Sequence, residues 1–139
     1  MEKEFEFIEH TADIGVRAYG ADMQQVFNHA ARGLFSIITE LNTVDAKEQG
    51  QIRVTAPDGE ALLVNWLNEL IYLFEAKGIL FSRFNITAIS DTELHAVVYG
   101  EKINLARHKL KTQVKAATYH MLKIEETKDG WKAQVIFDI

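Results

Sequence analysis

Apolar and polar positions along this chain recur with two different periods, and each change of period marks an element. Residues 4 to 8 and 14 to 19 alternate with the period of two expected of half-buried strands, and His10, Thr11, Ala12 and Asp13 form the connection between them. Asp22 then stands as an N-cap, with Gln25 three residues later completing a capping-box pattern. Beyond it Val26, Ala30, Leu34 and Ile37 or Ile38 recur at three-to-four spacing, which predicts an amphipathic helix ending near Leu41. QIRVT, residues 51 to 55, alternates again. Asp58 caps a second helix, ALLVNWLNELIYLFEAK, and Gly78 ends it where a left-handed C-cap is commonest.

The second half of the chain reads mostly as strand. FSRFNIT (81 to 87) and ELHAVVYG (93 to 100) predict a hairpin turning near Ser90 and Asp91. VKAATYHMLKIEE and WKAQVIFDI flank Lys128, Asp129 and Gly130, and an Asp-Gly pair between alternating runs is a strong hairpin signal. Two strand–helix–strand arrangements predict an α+β fold, with two helices packed on a largely antiparallel sheet. With 139 residues, one proline and no low-complexity segment, a single domain over residues 1–139 is expected.

Composition narrows the function classes. No apolar run approaches the ~18 residues that a membrane-spanning helix needs, and the acidic start MEKEFEFIEH lacks the layout of a signal peptide. Cysteine is absent, which removes disulfides, thiolate metal sites and cysteine nucleophiles. A cytoplasmic protein is the expectation. The net charge is −5, yet residues 101 to 123 hold Lys102, Arg107, Lys109, Lys111, Lys115 and Lys123 against Glu101 alone. That segment is either a basic patch for phosphate or an acidic partner, or a solvated lysine-rich loop.

Conventional catalytic motifs are missing. His10, His29, His95, His108 and His120 make no HExxH or other tight ligand spacing, and partial burial with a satisfied hydrogen bond is expected of His29, His95 and His120. Ser36, Ser82 and Ser90 have no nucleophile-elbow setting, and Gly15, Gly20 and Gly33 form no phosphate loop. Neither a nucleotide hydrolase nor a triad hydrolase is supported.

The end of the sequence carries more. In WKAQVIFDI, Trp131, Ala133, Val135, Phe137 and Ile139 fall on one strand face, and Lys132, Gln134, Ile136 and Asp138 on the other. With Ile139 last, its terminal carboxylate lies beside that of Asp138. Both ionise with reference values near ~4, so they repel unless a cation relieves them. Hard oxygens of this kind suit calcium or magnesium; the alternative is a pair of solvated acids. Lys115 is predicted to share a strand face with Ala117, Tyr119 and Met121. There it either snorkels to water or is positioned for a carboxylate or phosphate.

IEHTADIG, LLVNWLNELIYLF, VKAATYHMLKIEE and VIFDI, in this order and spacing along nearly the whole chain, closely resemble the archease family. The resemblance implies an α/β sandwich related to strand–helix–strand–strand modules. It also implies an accessory protein, not an enzyme, of the tRNA-splicing RNA ligase. That ligase joins 2′,3′-cyclic phosphate or 3′-phosphate ends to 5′-hydroxyl ends, requires manganese, and is guanylylated from GTP. The archease promotes guanylylation and multiple turnover, with any RNA contact indirect. Asp13, Asp138 and Ile139 correspond to the family's metal site, usually calcium, and Lys115 to a lysine tied to activity. His10 and Thr11 are expected to orient the turn. Asn104 departs from the family, where an acidic residue is common. A general chaperone or adaptor for RNA-processing enzymes is the alternative reading. A third, an enzyme on a small phosphorylated ligand with Lys115 and Asp13 at its centre, lacks a nucleophile and a phosphate loop.

Overall fold

Two helices lie between two antiparallel sheets. The computed structural model describes residues 3–9 and 12–139; His10 and Thr11, expected to orient the first turn, lie outside the described residues. In chain order the elements are β1 (Phe5–Glu9), β2 (Asp13–Gly20), α1 (Met23–Ile38), β3 (Glu48–Thr55), α2 (Gly59–Lys77), β4 (Ile79–Ile89), β5 (Glu93–Lys102), β6 (Ala116–Thr127) and β7 (Gly130–Asp138). One sheet has the order β1-β2-β7-β6 and the other β3-β5-β4. Both helices touch strands of both sheets, which makes the fold an α/β sandwich. The α+β class and the antiparallel pairing agree with the sequence reading. The strands divide into two sheets rather than one because alternation states that a strand is half-buried, not which strand it pairs with.

The predicted caps form. Asp22 accepts from the Gln25 N–H at 2.9 Å, and the Gln25 side chain accepts from the Ala21 N–H at 2.9 Å. Asp58 accepts from the Ala61 N–H at 2.8 Å, and Gly78 takes the left-handed conformation at φ 65°. The first helix stops at Ile38, short of Leu41. Thr39 is extended at φ −155° and pairs with Leu110 in an isolated bridge. Its buried hydroxyl donates to the Lys109 carbonyl at 2.7 Å. A long-range contact therefore overrides the helical period. β3 starts at Glu48 instead of Gln51, since Glu48, Gln49 and Gly50 pair with Gly100, Tyr99 and Val98 without any alternation of their own.

The core sits between the sheets. Phe35 meets Phe81 edge-on at 5.7 Å, and the fully buried Trp66 donates to the Phe27 carbonyl at 3.0 Å. A buried indole keeps its N–H satisfied this way and still removes its ring from water.

Candidate functional site

β2 and β7 are paired in a register that sets Asp13 directly opposite Asp138, and β6 continues the row with Ala116 opposite Asp138. Residues directly opposite in an antiparallel pair project to the same face. The inward face is fixed by Val16, Ala18, Val135 and Phe137, all buried. The two carboxylates therefore stand together on the outer face, at one end of the four-stranded sheet. Asp13 is half-buried and Asp138 exposed, and Ile139 follows at 37% exposure. Like charges directly opposite on paired strands are destabilising, so a positive partner of any kind would stabilise this end of the sheet.

Lys115 reaches the same place by another route. It precedes β6, and its main-chain N–H donates to the Asp138 carbonyl at 2.8 Å. The expected face shared with Ala117, Tyr119 and Met121 does not exist. Lys115, Tyr119 and Met121 are exposed while Ala117 is buried, its N–H held by the Asn68 side chain at 2.7 Å. The regular alternation assumed for this strand is broken between Thr118 and Lys123.

Oxygen chemistry at this end fits a divalent cation of the calcium type. Two carboxylates on adjacent strands and the backbone carbonyl of Ile139 are hard donors. No group of three or more histidine, aspartate or glutamate side chains is gathered among the described residues. Further ligands would be main-chain oxygen or water, both ordinary for calcium.

The basic run from Lys102 to Lys123 does not form one patch. Arg107 is engaged with Asp45 at 3.1 Å and with Glu101, Lys111 lies 3.7 Å from Glu40, and Lys123 lies 3.1 Å from Glu125. Sequence reasoning missed the cluster that anchors this segment. Glu101 is buried at 6% exposure and His108 at 1%. The Glu101 carboxylate accepts from the Asp45 N–H at 2.7 Å, from Nε2 of His108 at 2.9 Å and from the Arg107 guanidinium. Nδ1 of His108 accepts from the Asn104 N–H at 3.0 Å, which puts the ring proton on Nε2. The Asp45 N–H, with help from His108 and Arg107, outweighs burial and holds the Glu101 carboxyl below its ordinary value. Asn104 accepts from the Ala106 N–H at 3.0 Å, a turn bond that an aspartate oxygen would make equally. The Lys111 N–H donates to the Ile38 carbonyl at 2.7 Å and Val114 is buried, so the segment arrives at Lys115 fixed at several points. A glutamate ending a strand and a histidine seven residues on are the only sequence signal of this cluster.

His29 is half-buried and bonds the Tyr19 carbonyl at 2.5 Å, as expected. His95 and His120 are exposed instead, His95 pairing with Glu93 at 2.6 Å.

Comparison with known proteins gives a consistent result. The model of the archease protein family matches residues 5–139. The protein archease of Methanosarcina acetivorans is 43% identical, with 99% of this chain and 97% of that protein covered. The solution structure of a Methanobacterium thermoautotrophicum protein superposes with a TM-score of 0.82 at 36% identity, covering 98% of this chain and 99% of that one. The crystal structure of an archease from Thermotoga maritima, described as a "possible chaperone", superposes with a TM-score of 0.66 at 27% identity, covering 95% and 94%.

Proposed function

The chain belongs to the archease family, and from that premise we propose that it activates the tRNA-splicing RNA ligase. That ligase joins 2′,3′-cyclic phosphate or 3′-phosphate RNA ends to 5′-hydroxyl ends. The chain is an accessory protein in this reading, promoting guanylylation of a ligase that itself uses GTP and manganese. Asp13, Asp138 and the backbone of Ile139 would hold a divalent cation, calcium by ligand type. Lys115 stands beside them as a cation for a phosphate or carboxylate of the partner. The observation that carries the reading is the direct pairing of Asp13 with Asp138, to which the backbone of Lys115 is tied.

The work done by this chain's residues is placement. The bound cation supplies positive charge at an anionic end that would otherwise repel nucleotide phosphates. Asp13 and Asp138 would hold such a cation at the rim of the sheet, and Lys115, tied to Asp138 through its backbone, would add a second positive group. No described helix is long and apolar enough to cross a membrane, and we assign the activity to the cytoplasm.

A second reading, a chaperone or adaptor for RNA-processing enzymes, draws on exposed Phe7, Leu105, Leu110, Tyr119 and Met121. One experiment separates the two. Ligase guanylylation by GTP and the number of RNA ends joined per ligase are followed with the parent and with Asp13→Asn. Activation that disappears in the variant is the expected result. Equal activation by both would sink the acidic-site mechanism and favour the adaptor.

A further inference from the structure

Two features of the four-stranded sheet's outer face are not explained by its acidic end. The first is a cavity of about 280 Å³ whose lining includes Arg17, Met121, Lys123, Glu125, Lys132 and Gln134. Glu125 lies 3.0 Å from Lys132 and 3.1 Å from Lys123, and Arg17 donates to Gln134 at 3.0 Å with Glu6 at 4.0 Å. Hydrogen bonds from Lys132 and then Lys123 keep the Glu125 carboxyl below its usual value. Three lining cations stand against one lining carboxylate, Glu125, and with Glu6 counted beside Arg17 one positive charge remains in surplus, in a chain whose net charge is −5.

The second feature is a bulge in β6. Thr118 faces Ile136 and Lys123 faces Gln134, so residues 119 to 122 stand opposite Val135 alone. Met121 has φ 55°, the only positive φ at a non-glycine among the described residues. Left-handed backbone at such a residue persists only where its surroundings impose it, and it concentrates at functional sites. Gln134 donates to the Met121 carbonyl at 3.0 Å and the Thr118 hydroxyl to the Ile136 carbonyl at 2.8 Å, which pins the bulge. Tyr119 is left 61% exposed and Met121 52%.

Cavity and bulge share a sheet with the acidic end. Asp13, Gly15 and Arg17 project from the same face of β2, and four residues of strand place Arg17 about 13 Å from Asp13. Ile136 closes over Gly15 between them, 2.7 Å from where a side-chain carbon would stand.

We propose that this face binds a single-stranded RNA end directly, with a backbone phosphate between Arg17, Lys123 and Lys132 and a base stacked on Tyr119. The strand then runs toward Asp13 and Asp138. The identity of the polyanion rests on the RNA-ligation reading above, and direct contact replaces the indirect contact expected from the resemblance. Tyr119 stands exposed two residues before Met121, which lines the cavity, and a positively charged site with an exposed aromatic residue nearby in the same strand suits sequence-tolerant single-strand binding. Protein-docking centres, by contrast, are depleted in lysine.

The test begins without the ligase, which enters only as a binding and guanylylation control. A labelled oligoribonucleotide of about ten nucleotides with a 3′-phosphate, long enough to span the face, is titrated with the protein alone at several salt concentrations, and anisotropy is read. Binding that weakens with salt is expected. In the Lys123→Gln/Lys132→Gln double variant it should be about tenfold weaker, with the salt slope reduced by about 0.7 for each phosphate no longer neutralised. Tyr119→Ala should weaken binding about fivefold and leave the slope unchanged. Arg17→Ala, a second route to the same cavity, should also weaken it. Melting curves identical to the parent's confirm that these exposed positions do not unfold the chain. No salt-dependent binding by the parent, or equal binding by all variants, overturns the proposal. So does a Tyr119→Ala variant that no longer binds the ligase but keeps RNA, which would assign the face to protein docking. Failure here leaves ligase activation standing. RNA binding without any effect on guanylylation removes the activation reading and keeps this one.

Discussion

The main-chain N–H of Lys115 donates to the main-chain carbonyl of Asp138 at 2.8 Å, so the backbones of two candidate residues are tied before their side chains do anything. Lys115 itself is exposed. Position is supplied by the backbone and chemistry by the side chain, and the two can be separated.

Lys115→Ala is therefore expected to fold as the parent does, within about 0.5 kcal/mol, since exposed substitutions away from caps and buried networks rarely exceed that. Ligase guanylylation, in contrast, should fall markedly. A urea titration beside a guanylylation assay checks both. A large drop in stability with activity retained would show that the side chain is structural.

Removing the carboxylate at Asp138 should do two opposite things. Without metal, Asp138→Asn relieves the repulsion across β2 and β7, which is of the order of ~0.2–1 kcal/mol for a directly opposed like-charged pair. The variant should melt at or slightly above the parent temperature. With calcium present, the parent should gain stability as RT ln(1 + [L]/Kd), about 2.7 kcal/mol at a hundredfold excess over Kd, and the variant little or none. Thermal melts with chelator and with calcium measure both arms. A calcium-induced rise of equal size in both proteins would remove Asp138 from the metal site.

Much of this site is legible in the sequence, for identifiable reasons. Asp138 is placed by a strand in which Ala133, Val135 and Phe137 point inward as read, although Ile136 on the opposite face is buried as well. Its pairing with Asp13 spans almost the whole chain, and no periodicity carries a long-range register; only the resemblance to a family suggests it. Period two groups Lys115, Tyr119 and Met121 with the buried Ala117, but Lys115 lies before the strand begins, and at Tyr119 and Met121 one β7 residue faces four of β6, which leaves both exposed. The Glu101–His108 cluster is invisible for a different reason. Burial of a charged pair follows from how the segment after β5 folds back over Thr39, and that path has no local signature.

That buried cluster makes a pH prediction. An unfolded glutamate titrates near 4.5, and the Asp45 N–H with His108 and Arg107 holds the folded Glu101 carboxyl lower. Between the two values the unfolded chain binds the proton and the folded chain does not, so acidification favours unfolding. The contribution is fully present above about 4.5 and is lost as pH falls through the folded value. Glu6, Glu93 and Glu125 shift in the same direction, so the parent should become steadily less stable below that pH. Glu101→Gln should be less stable at neutral pH and show a shallower decline. Denaturant midpoints from neutral pH down to about pH 3 give the comparison, and parallel curves would mean that Glu101 does not titrate differently on folding.

The strained bulge makes the last prediction, one that separates backbone from side chain at Met121. At φ 55° a side chain crowds its own backbone, costing roughly 1–2 kcal/mol that glycine does not incur. The Met121 side chain is 52% exposed, so truncating it sacrifices only part of its packing. Met121→Gly should consequently be as stable as the parent or more so, while Met121→Ala, which keeps the strain and removes the thioether, should be less stable. The Gln134 side chain and the Met121 carbonyl remain in both variants, so the bulge should persist. If the strain is kept because it holds Tyr119 outward, the glycine variant should bind the oligoribonucleotide more weakly than the alanine variant despite its higher melting temperature. A glycine variant less stable than the alanine one would mean that Met121 does not occupy the left-handed region in solution. Equal RNA affinity in the two would show that Tyr119 does not depend on the strain for its position.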